Sequence, residues 1–274
     1  MKKCIMAFGA HADDIEIRCG GALAKFKDKG YKLIYVLVAA CDAGSPPGSN
    51  ETGQMRKEEA AEGAKVLGAE SVFLGFKESF VCNEKEKLVR FGENLELFEK
   101  WKKLPGKEFL YDAPFIPRCV IEVADLIAKY EPEIVFTHYP DDMNVGHYST
   151  SCLVFKAFKE ASEKVKLGDL YLWPSGSRGS LVDFSPNTFI DITKYMEKKG
   201  EAVNKHKSQA WRWQKTSYWK KRDVTWGKKI KVKYAEGFYK VRAPLTRNKY
   251  FYLTTYDRRM LEYKKGISDE CRKI

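Results

Sequence analysis

Apolar residues in the first part of the chain follow two alternating patterns. Residues 3–8 and 32–40 are short, nearly continuous apolar runs, typical of strands buried on both faces of a parallel sheet. Residues 15–29 and 54–67 carry apolar side chains at helical spacing, and a glycine suited to ending a helix follows each. With 71–74 as a third strand, this region predicts a β-α-β-α-β unit.

The alternation continues as far as residue 242. Strands are predicted at 134–138, 170–173, 188–192 and 229–241, and helices at 116–130, 149–163 and 194–213. This order predicts an α/β fold, with a Rossmann-like, mainly parallel sheet flanked by helices. We expect one domain over 1–242, with a charged helical insertion at 83–113, and a C-terminal tail at 243–274.

Three polar segments follow predicted strands. Residues 9–14 follow the first strand, 41–53 the second, and 138–147 the strand at 134–138. Ligands of open α/β sheets bind beyond the carboxyl ends of the strands. The three segments are therefore expected to meet at one edge of the sheet.

Two of the four histidines lie beside paired aspartates at this edge. A hydrolytic zinc site needs about three ligands from His, Asp or Glu and one open position for water. His11 and Asp14 are three residues apart on a strand-to-helix turn, and His147 would supply a third ligand from another strand end. Asp13 would then move protons for a water acidified by the metal. Each residue alone could be an ordinary loop or core residue, but the joint arrangement favours a metal site.

The ordered motifs resemble those of the PIG-L/LmbE-like deacetylases, zinc enzymes that de-N-acetylate N-acetylglucosamine conjugates. The family pattern AHPDDxExxxGG is matched at 10–21, an R-x-x-E helix before Leu-Gly at 56–68, D-x-H-x-D-H at 142–147, H-x-S-Q at 206–209 and Glu-x-Phe at 236–238. The resemblance implies the LmbE-like deacetylase fold over about residues 3–242.

The resemblance also implies a role for each matching position. His11, Asp14 and His147 match the metal ligands, and Asp13 matches the general base. The implied cofactor is Zn²⁺, with Fe²⁺ as the alternative in vivo.

Three further positions are expected to line the substrate pocket. Arg56 matches a residue that contacts the hydroxyls of the sugar. Asp142 and His206 fall in the third and fourth motifs and are assigned to substrate binding. A structural role for His206, in the core or as a cap, remains open.

Departures from the family pattern concern the same edge. Ala12 replaces a proline, and Glu78 stands where many members have an aspartate. Asn144 replaces a histidine thought to stabilise the oxyanion; asparagine can still donate a hydrogen bond, so Asn144 is assigned as a catalytic donor. Gly146 replaces an aspartate beside the last ligand, and His138 or Asp142 could compensate for it.

Composition narrows the classes of function. The net charge is +12, but basic and acidic residues are interspersed, which favours a solvated surface. The densest basic cluster, 194–233, interleaves aromatic residues and could stack on a sugar or on single-stranded nucleic acid. Seven cysteines without a CxxC pair argue against a disulfide framework. No membrane span or signal peptide is recognisable, so a cytoplasmic location is expected.

The sequence thus predicts a zinc-dependent hydrolase that removes the acetyl group from an N-acetylglucosamine-type sugar or its conjugate. The expected partner is a small N-acetylated sugar or glycoconjugate, and a homo-oligomer remains open. Alternatives are an amidase acting on a larger amide conjugate and a catalytically weakened sugar-binding homologue. A nucleic-acid binder is the least favoured.

Overall fold

The computed structural model describes most of the chain up to residue 241. The described residues are 3–41, 50–78, 80–82, 88–90, 96, 99–100, 103, 106–140, 142, 144–174, 184–210 and 218–241. The strands are β1 (Cys4–Gly9), β2 (Lys32–Ala39), β3 (Glu70–Phe76), β4 (Phe80–Cys82), β5 (Leu88–Arg90), β6 (Ile134–His138), β7 (Asp169–Trp173), β8 (Thr188–Asp191) and β9 (Ala235–Val241). The α-helices are α1 (Asp14–Asp28), α2 (Asn50–Leu67), α3 (Pro117–Tyr130), α4 (Val145–Ser162), α5 (Met196–Val203) and α6 (Tyr218–Lys229).

A seven-stranded sheet forms the centre of the molecule, with strand order β3-β2-β1-β6-β7-β9-β8. The neighbouring pairs from β3 to β7 are all parallel, and β9 runs antiparallel to both β7 and β8. The predicted α/β class with a mainly parallel sheet is therefore confirmed. β1 lies in the middle, paired with β2 on one side and β6 on the other, so the turns after β1 and β6 emerge side by side.

Helices cover both faces of the sheet, and each face has its own apolar core. One core joins the sheet to α3 and α4, and includes Phe8, Val123 and Phe158. The other joins it to α1 and α2, and includes Leu23 and Tyr35. Both faces of the central strands are thus buried, as their uninterrupted apolar sequences predict.

Two helices begin earlier than predicted, and one was not predicted. α2 begins at Asn50 rather than 54, and α4 at Val145 rather than 149. The first turn of α4 contains Gly146 and His147, both weak helix formers, so helix propensity does not predict that the helix begins there. The side chain of Asn144 caps this end of the helix. α6 was missed because its sequence is mostly polar; it buries Trp219 and Trp226 on its inner side.

The insertion at 83–113 differs from the predicted helical form. Leu88–Arg90 forms a strand that pairs antiparallel with Phe80–Cys82, although residues 96, 99 and 100 are helical. Much of the remaining insertion, and the predicted tail at 243–274, lie outside the described residues. None of the described helices has both the length and the apolar character needed to cross a bilayer.

Candidate metal centre

Hydrogen bonds from its backbone amides to two side chains hold the turn between β1 and α1 in place. Asp13 adopts φ 102°, a left-handed conformation that is strained for a residue with a side chain. The His11 amide donates to Asp14 Oδ2 at 2.8 Å. The Ala12 amide, which a proline would lack, donates to Cys41 Sγ at 3.2 Å. These contacts fix the turn beside the end of β2.

The three predicted metal ligands meet at the carboxyl edge of the sheet. His147 Nε2 lies 3.3 Å from Asp14 Oδ1, and His11 Nδ1 lies 3.5 Å from Asp14 Oδ2. One potential ligand atom from each of the three residues lies within 4.8 Å of the others, and all three residues are buried. Segments more than a hundred positions apart in sequence therefore converge as predicted.

A buried carboxylate and a helix cap orient His147. Asp142 Oδ2 lies 2.7 Å from His147 Nδ1, which leaves Nε2 directed towards Asp14. Asn144 caps α4, since its Oδ1 accepts from the amides of Gly146 and His147 at 2.9 and 3.4 Å. Oδ1 of Asn144 is therefore engaged in the cap, and its NH₂ group is the part of the side chain that can donate a hydrogen bond.

The carboxylates set the charges of two histidines. Burial works to lower the pKa of His11, but Glu78 and Asp14 outweigh it and raise this pKa to about 10. Burial likewise opposes protonation of His147, while Asp14 and Asp142 raise its pKa to about 9. When no cation is bound, two protonated imidazoles therefore offset part of the negative charge of these three carboxylates.

A divalent cation fits this set of donors. Imidazole nitrogen and carboxylate oxygen are ordinary zinc ligands. Glu78 is 0% exposed and lies 3.3 Å from His11 Nε2, yet these two groups do not meet hydrogen-bond geometry. Among the residues described, both oxygens of Glu78 and the Nε2 of His11 lack a hydrogen-bond partner. Buried polar atoms of this kind are costly unless a cation or another group satisfies them.

Arg56 is buried against the turn between β1 and α1. Its Nη2 donates to the Ala12 carbonyl at 2.9 Å and lies 3.8 Å from Asp13 Oδ2. The guanidinium is buried. The observed contacts of Arg56 are therefore with the turn that carries Asp13.

His206 belongs to a buried cluster behind α1. Its Nε2 lies 2.9 Å from Glu16 Oε1, while the hydroxyl of Tyr35 donates to Glu16 Oε2 at 3.1 Å. Gly63 makes room for this cluster, because a Cβ there would lie 2.2 Å from Glu16 Oε1. The ring of His206 is buried among these groups.

His138, left without a role by the sequence, packs on His147. The two rings stack with their centroids 4.3 Å apart. Burial and the charge of His147 lower the pKa of His138 to about 4, so it is neutral. Its Nε2 accepts the Ala10 amide at 3.1 Å and lies 3.3 Å from Asp14 Oδ2. His138 also falls in a second possible metal-holding group, with Asp142 and His147.

Sequence reasoning gave no role to two residues at this edge. Glu16 was recognised only as part of a motif, although its position two residues after Asp14 in a polar first turn was a usable signal. Arg18 was not noticed, because a basic residue in a helix is normally solvent-exposed. Arg18 is 4% exposed.

The predicted aromatic surface of the basic cluster is only partly described. Trp219 packs in an apolar cluster with Ile17, Ile192 and Met196, and Trp226 is buried. Trp211 and Trp213 lie outside the described residues. The two tryptophans of this cluster that the structure describes, Trp219 and Trp226, are thus buried and do not form an exposed stacking surface.

Two curated proteins and a solved structure are similar to this chain over most of its length. The chain is 23% identical over 251 residues to the diacetylchitobiose deacetylase of Thermococcus kodakarensis, covering 86% of this chain and 82% of the relative. It is 22% identical to the 4-oxalmesaconate hydratase of Pseudomonas putida, covering 90% and 92%. A solved structure, the N,N'-diacetylchitobiose deacetylase of Pyrococcus horikoshii with its inhibitor MPG, superposes with a TM-score of 0.67 at 21% identity and covers 90% of this chain and 86% of its own.

These likenesses show the fold, whereas the family follows from the match to a family model. Residues 6–158, more than half of the chain, match the PIG-L family model, described as GlcNAc-PI de-N-acetylase. The matched segment runs from β1 through α4 and includes the three candidate ligands. The chain therefore belongs to the PIG-L, or LmbE-like, family of de-N-acetylases.

Proposed function

We propose that this chain is a metal-dependent hydrolase that removes the acetyl group from an N-acetylglucosamine-type sugar or its conjugate. The observation that carries the proposal is the meeting of His11, Asp14 and His147, with Asp13 on the same turn, in a chain of this family. Zn²⁺ is the proposed cofactor, with Fe²⁺ as the alternative, and both suit a site of two histidines and one aspartate.

In this proposal the cation, Asp13 and Asn144 have separate roles in the hydrolysis. A bound cation would supply a Lewis acid that polarises the acetamide carbonyl and lowers the pKa of water. Asp13 accepts a proton from the attacking water and returns it to the departing amine. Asn144 donates its amide hydrogen to the carbonyl oxygen as negative charge develops there. Acetate and a free amino sugar are the products.

Three residues act through their neighbours in this proposal. Arg56 holds Asp13 and the Ala12 carbonyl, so we assign it to positioning the base in place of a sugar contact. Asp142 orients His147, so we assign it to the ligand in place of the substrate. His206 holds Glu16 and with it the start of α1.

Amine release from a panel of N-acetylglucosamine derivatives tests the proposal, together with metal analysis of the protein. Asp13→Asn should lower kcat by roughly 10²- to 10⁴-fold, because it removes the proton carrier. Metal content should not change, since Asp13 is not a ligand. Asp28→Asn makes the same change at the exposed end of α1 and serves as the matched control. Full activity of Asp13→Asn would refute the assignment.

The hydratase relative makes water addition to a carbon–carbon double bond a second candidate. Both reactions need an activated water and a proton carrier beside it. The two are separated by incubating the metal-loaded protein with N-acetyl sugars and with unsaturated carboxylic acids. Acetate release supports deacetylation, whereas loss of the alkene absorbance without acetate supports hydration. Acetate release from larger amide conjugates alone would support the amidase, and metal binding without any turnover would support a sugar-binding homologue.

A further inference from the structure

Arg18 carries a buried guanidinium beside the metal centre. It lies on α1 one turn after Asp14, and the i, i+4 relation places both side chains on the same face of the helix. It is 4% exposed. Its recorded contact is with the ring of Tyr218, whose centroid lies 6.0 Å from Cζ.

No described carboxylate lies within ion-pair distance of this guanidinium. Two other buried cations differ in this respect: Lys199 contacts both Asp223 and Glu236, and Arg56 approaches Asp13. Burying an unpaired charge is expensive, and proteins normally supply a counter-ion. An arginine cannot escape the cost by losing its proton.

The groups around Arg18 both oppose and favour its positive charge. Burial lowers the pKa of Arg18, and the positive charge of Arg222 lowers it further, while Tyr218, Asp14 and Asp142 raise it. The two carboxylates are too far away to pair with it, and they are engaged with His147. Among the described residues, therefore, none supplies Arg18 with an anionic partner.

Arg222 adds a second guanidinium on the same side. Its Nη2 donates to the Ile17 carbonyl at 2.6 Å and to Asp223 Oδ1 at 3.0 Å, which fixes its orientation. Its Nη1 is buried and has no hydrogen-bond partner among the described residues. The guanidinium groups of Arg18 and Arg222 thus place two positive charges beside the first two turns of α1.

We propose that Arg18, supported by Arg222, binds an anionic group of the substrate, a carboxylate or a phosphate carried by the N-acetylated sugar. This inference rests on the proposed deacetylation and narrows its substrate class. The forked guanidinium suits both anions, because it can donate two parallel hydrogen bonds to their oxygens. Neighbouring i, i+4 side chains on a helix are about 5–6 Å apart at Cβ, so the anion would lie about one sugar ring from the acetamide.

The experiment compares neutral and anionic substrates on the metal-loaded protein. The neutral probe is N-acetylglucosamine, the phosphate probes are its 1-phosphate and 6-phosphate, and the carboxylate probe is N-acetylmuramic acid. We expect at least one anionic probe to have a kcat/KM roughly 10- to 100-fold above that of the neutral sugar, the range of a hydrogen bond to a charged group. The preferred probe identifies the anion.

Two variants at Arg18 and one control test the residue. Arg18→Gln should lower the ratio of kcat/KM for the preferred anionic sugar to that for the neutral sugar by roughly 10- to 100-fold. Arg18→Lys, which keeps the charge but not the fork, should recover part of this ratio. Lys164→Gln removes one exposed charge at the far end of α4 and should leave the ratio unchanged. Thermal unfolding of each variant shows whether it is folded.

The outcomes separate this inference from the proposed function. Turnover with equal kcat/KM for neutral and anionic sugars, or an unchanged ratio in folded Arg18→Gln, would overturn the inference and leave deacetylation standing. If no probe releases an amine, calorimetric titration with the phosphate sugars decides. Binding that weakens in Arg18→Gln supports the anion site without deacetylation, and absence of binding refutes the site as well.

Discussion

Asp142 offers the most direct test of how the metal centre is built, because it contacts a proposed ligand from behind. Its Oδ2 lies 2.7 Å from His147 Nδ1, and its Oδ1 accepts the Asn144 amide at 2.8 Å. Asp142→Ala removes both contacts. Asp142→Asn keeps one acceptor oxygen, so it can serve either partner but not both.

The expected magnitude follows from those two contacts. Loss of a group that orients a ligand typically lowers metal affinity about 10- to 100-fold. We expect Asp142→Ala near the upper end of this range and Asp142→Asn near the lower end. The alanine variant also leaves the buried His147 Nδ1 and the partly buried Asn144 amide without this acceptor. An unsatisfied buried donor costs about 1–3 kcal/mol, so the free energy of unfolding should fall in the metal-free protein too.

The assay is a zinc titration against a chromophoric chelator, with thermal unfolding measured with and without metal. A purely structural role for Asp142 would lower the unfolding temperature but leave the dissociation constant of the folded protein unchanged. Asp125→Asn, at an exposed aspartate paired with Lys164, is the matched control. A zinc dissociation constant of folded Asp142→Ala within about threefold of the starting protein, against the expected 10- to 100-fold, would refute the reasoning.

Three further changes have definite expected results. Gly146→Ala should weaken zinc binding, because its Cβ would lie 2.8 Å from His11 Nε2 and push that ring aside; unchanged zinc affinity would contradict this. The pKa of His206 is raised because Glu16 outweighs burial, so the pair stabilises the fold fully below about pH 6.5 and less as the pH rises past the folded pKa. Accordingly, His206→Gln should lower the unfolding temperature more at pH 6 than at pH 9, and an equal loss would argue against the ion pair. Lys199→Met, which leaves the buried Glu236 without its cation and Asp223 with Arg222 alone, should cost about 3–5 kcal/mol in a denaturant titration; a cost below about 1 kcal/mol, the size of a surface pair, would mean that the buried pair is not formed.

Strand ends were the part of the site that the sequence could locate. The strand ending at His138 was predicted with its observed bounds, and the turn from His11 to Asp14 follows β1 directly. Both predictions rest on short apolar runs, which are unambiguous when a strand is buried on both faces. Since parallel strands share one carboxyl edge, the meeting of His147 with this turn followed from topology alone.

The direction of each side chain could not be predicted in the same way. Arg56 and Asp142 are predicted to bind the substrate, and the structure adds contacts with the Ala12 carbonyl and with His147 that their spacing does not reveal. Sequence spacing places a residue at an edge but does not specify its rotamer. Burial decided the outcome here, because a buried charged group adopts the conformation in which a partner is within reach.

The glycine at position 146 has an explanation in its neighbours Asp142 and His11. Gly146 stands where the family pattern has an aspartate, but the buried Asp142 already accepts from His147 Nδ1, so the ligand does not lack an orienting carboxylate. The absence of a side chain at 146 in turn gives His11 Nε2 the space that it occupies. His11, Asp14 and His147 therefore still meet at the proposed metal site, and the glycine at 146 does not by itself support a weakened homologue. With Asn144 proposed as the donor in place of a histidine, we expect a difference from other family members to appear in kcat rather than in metal affinity.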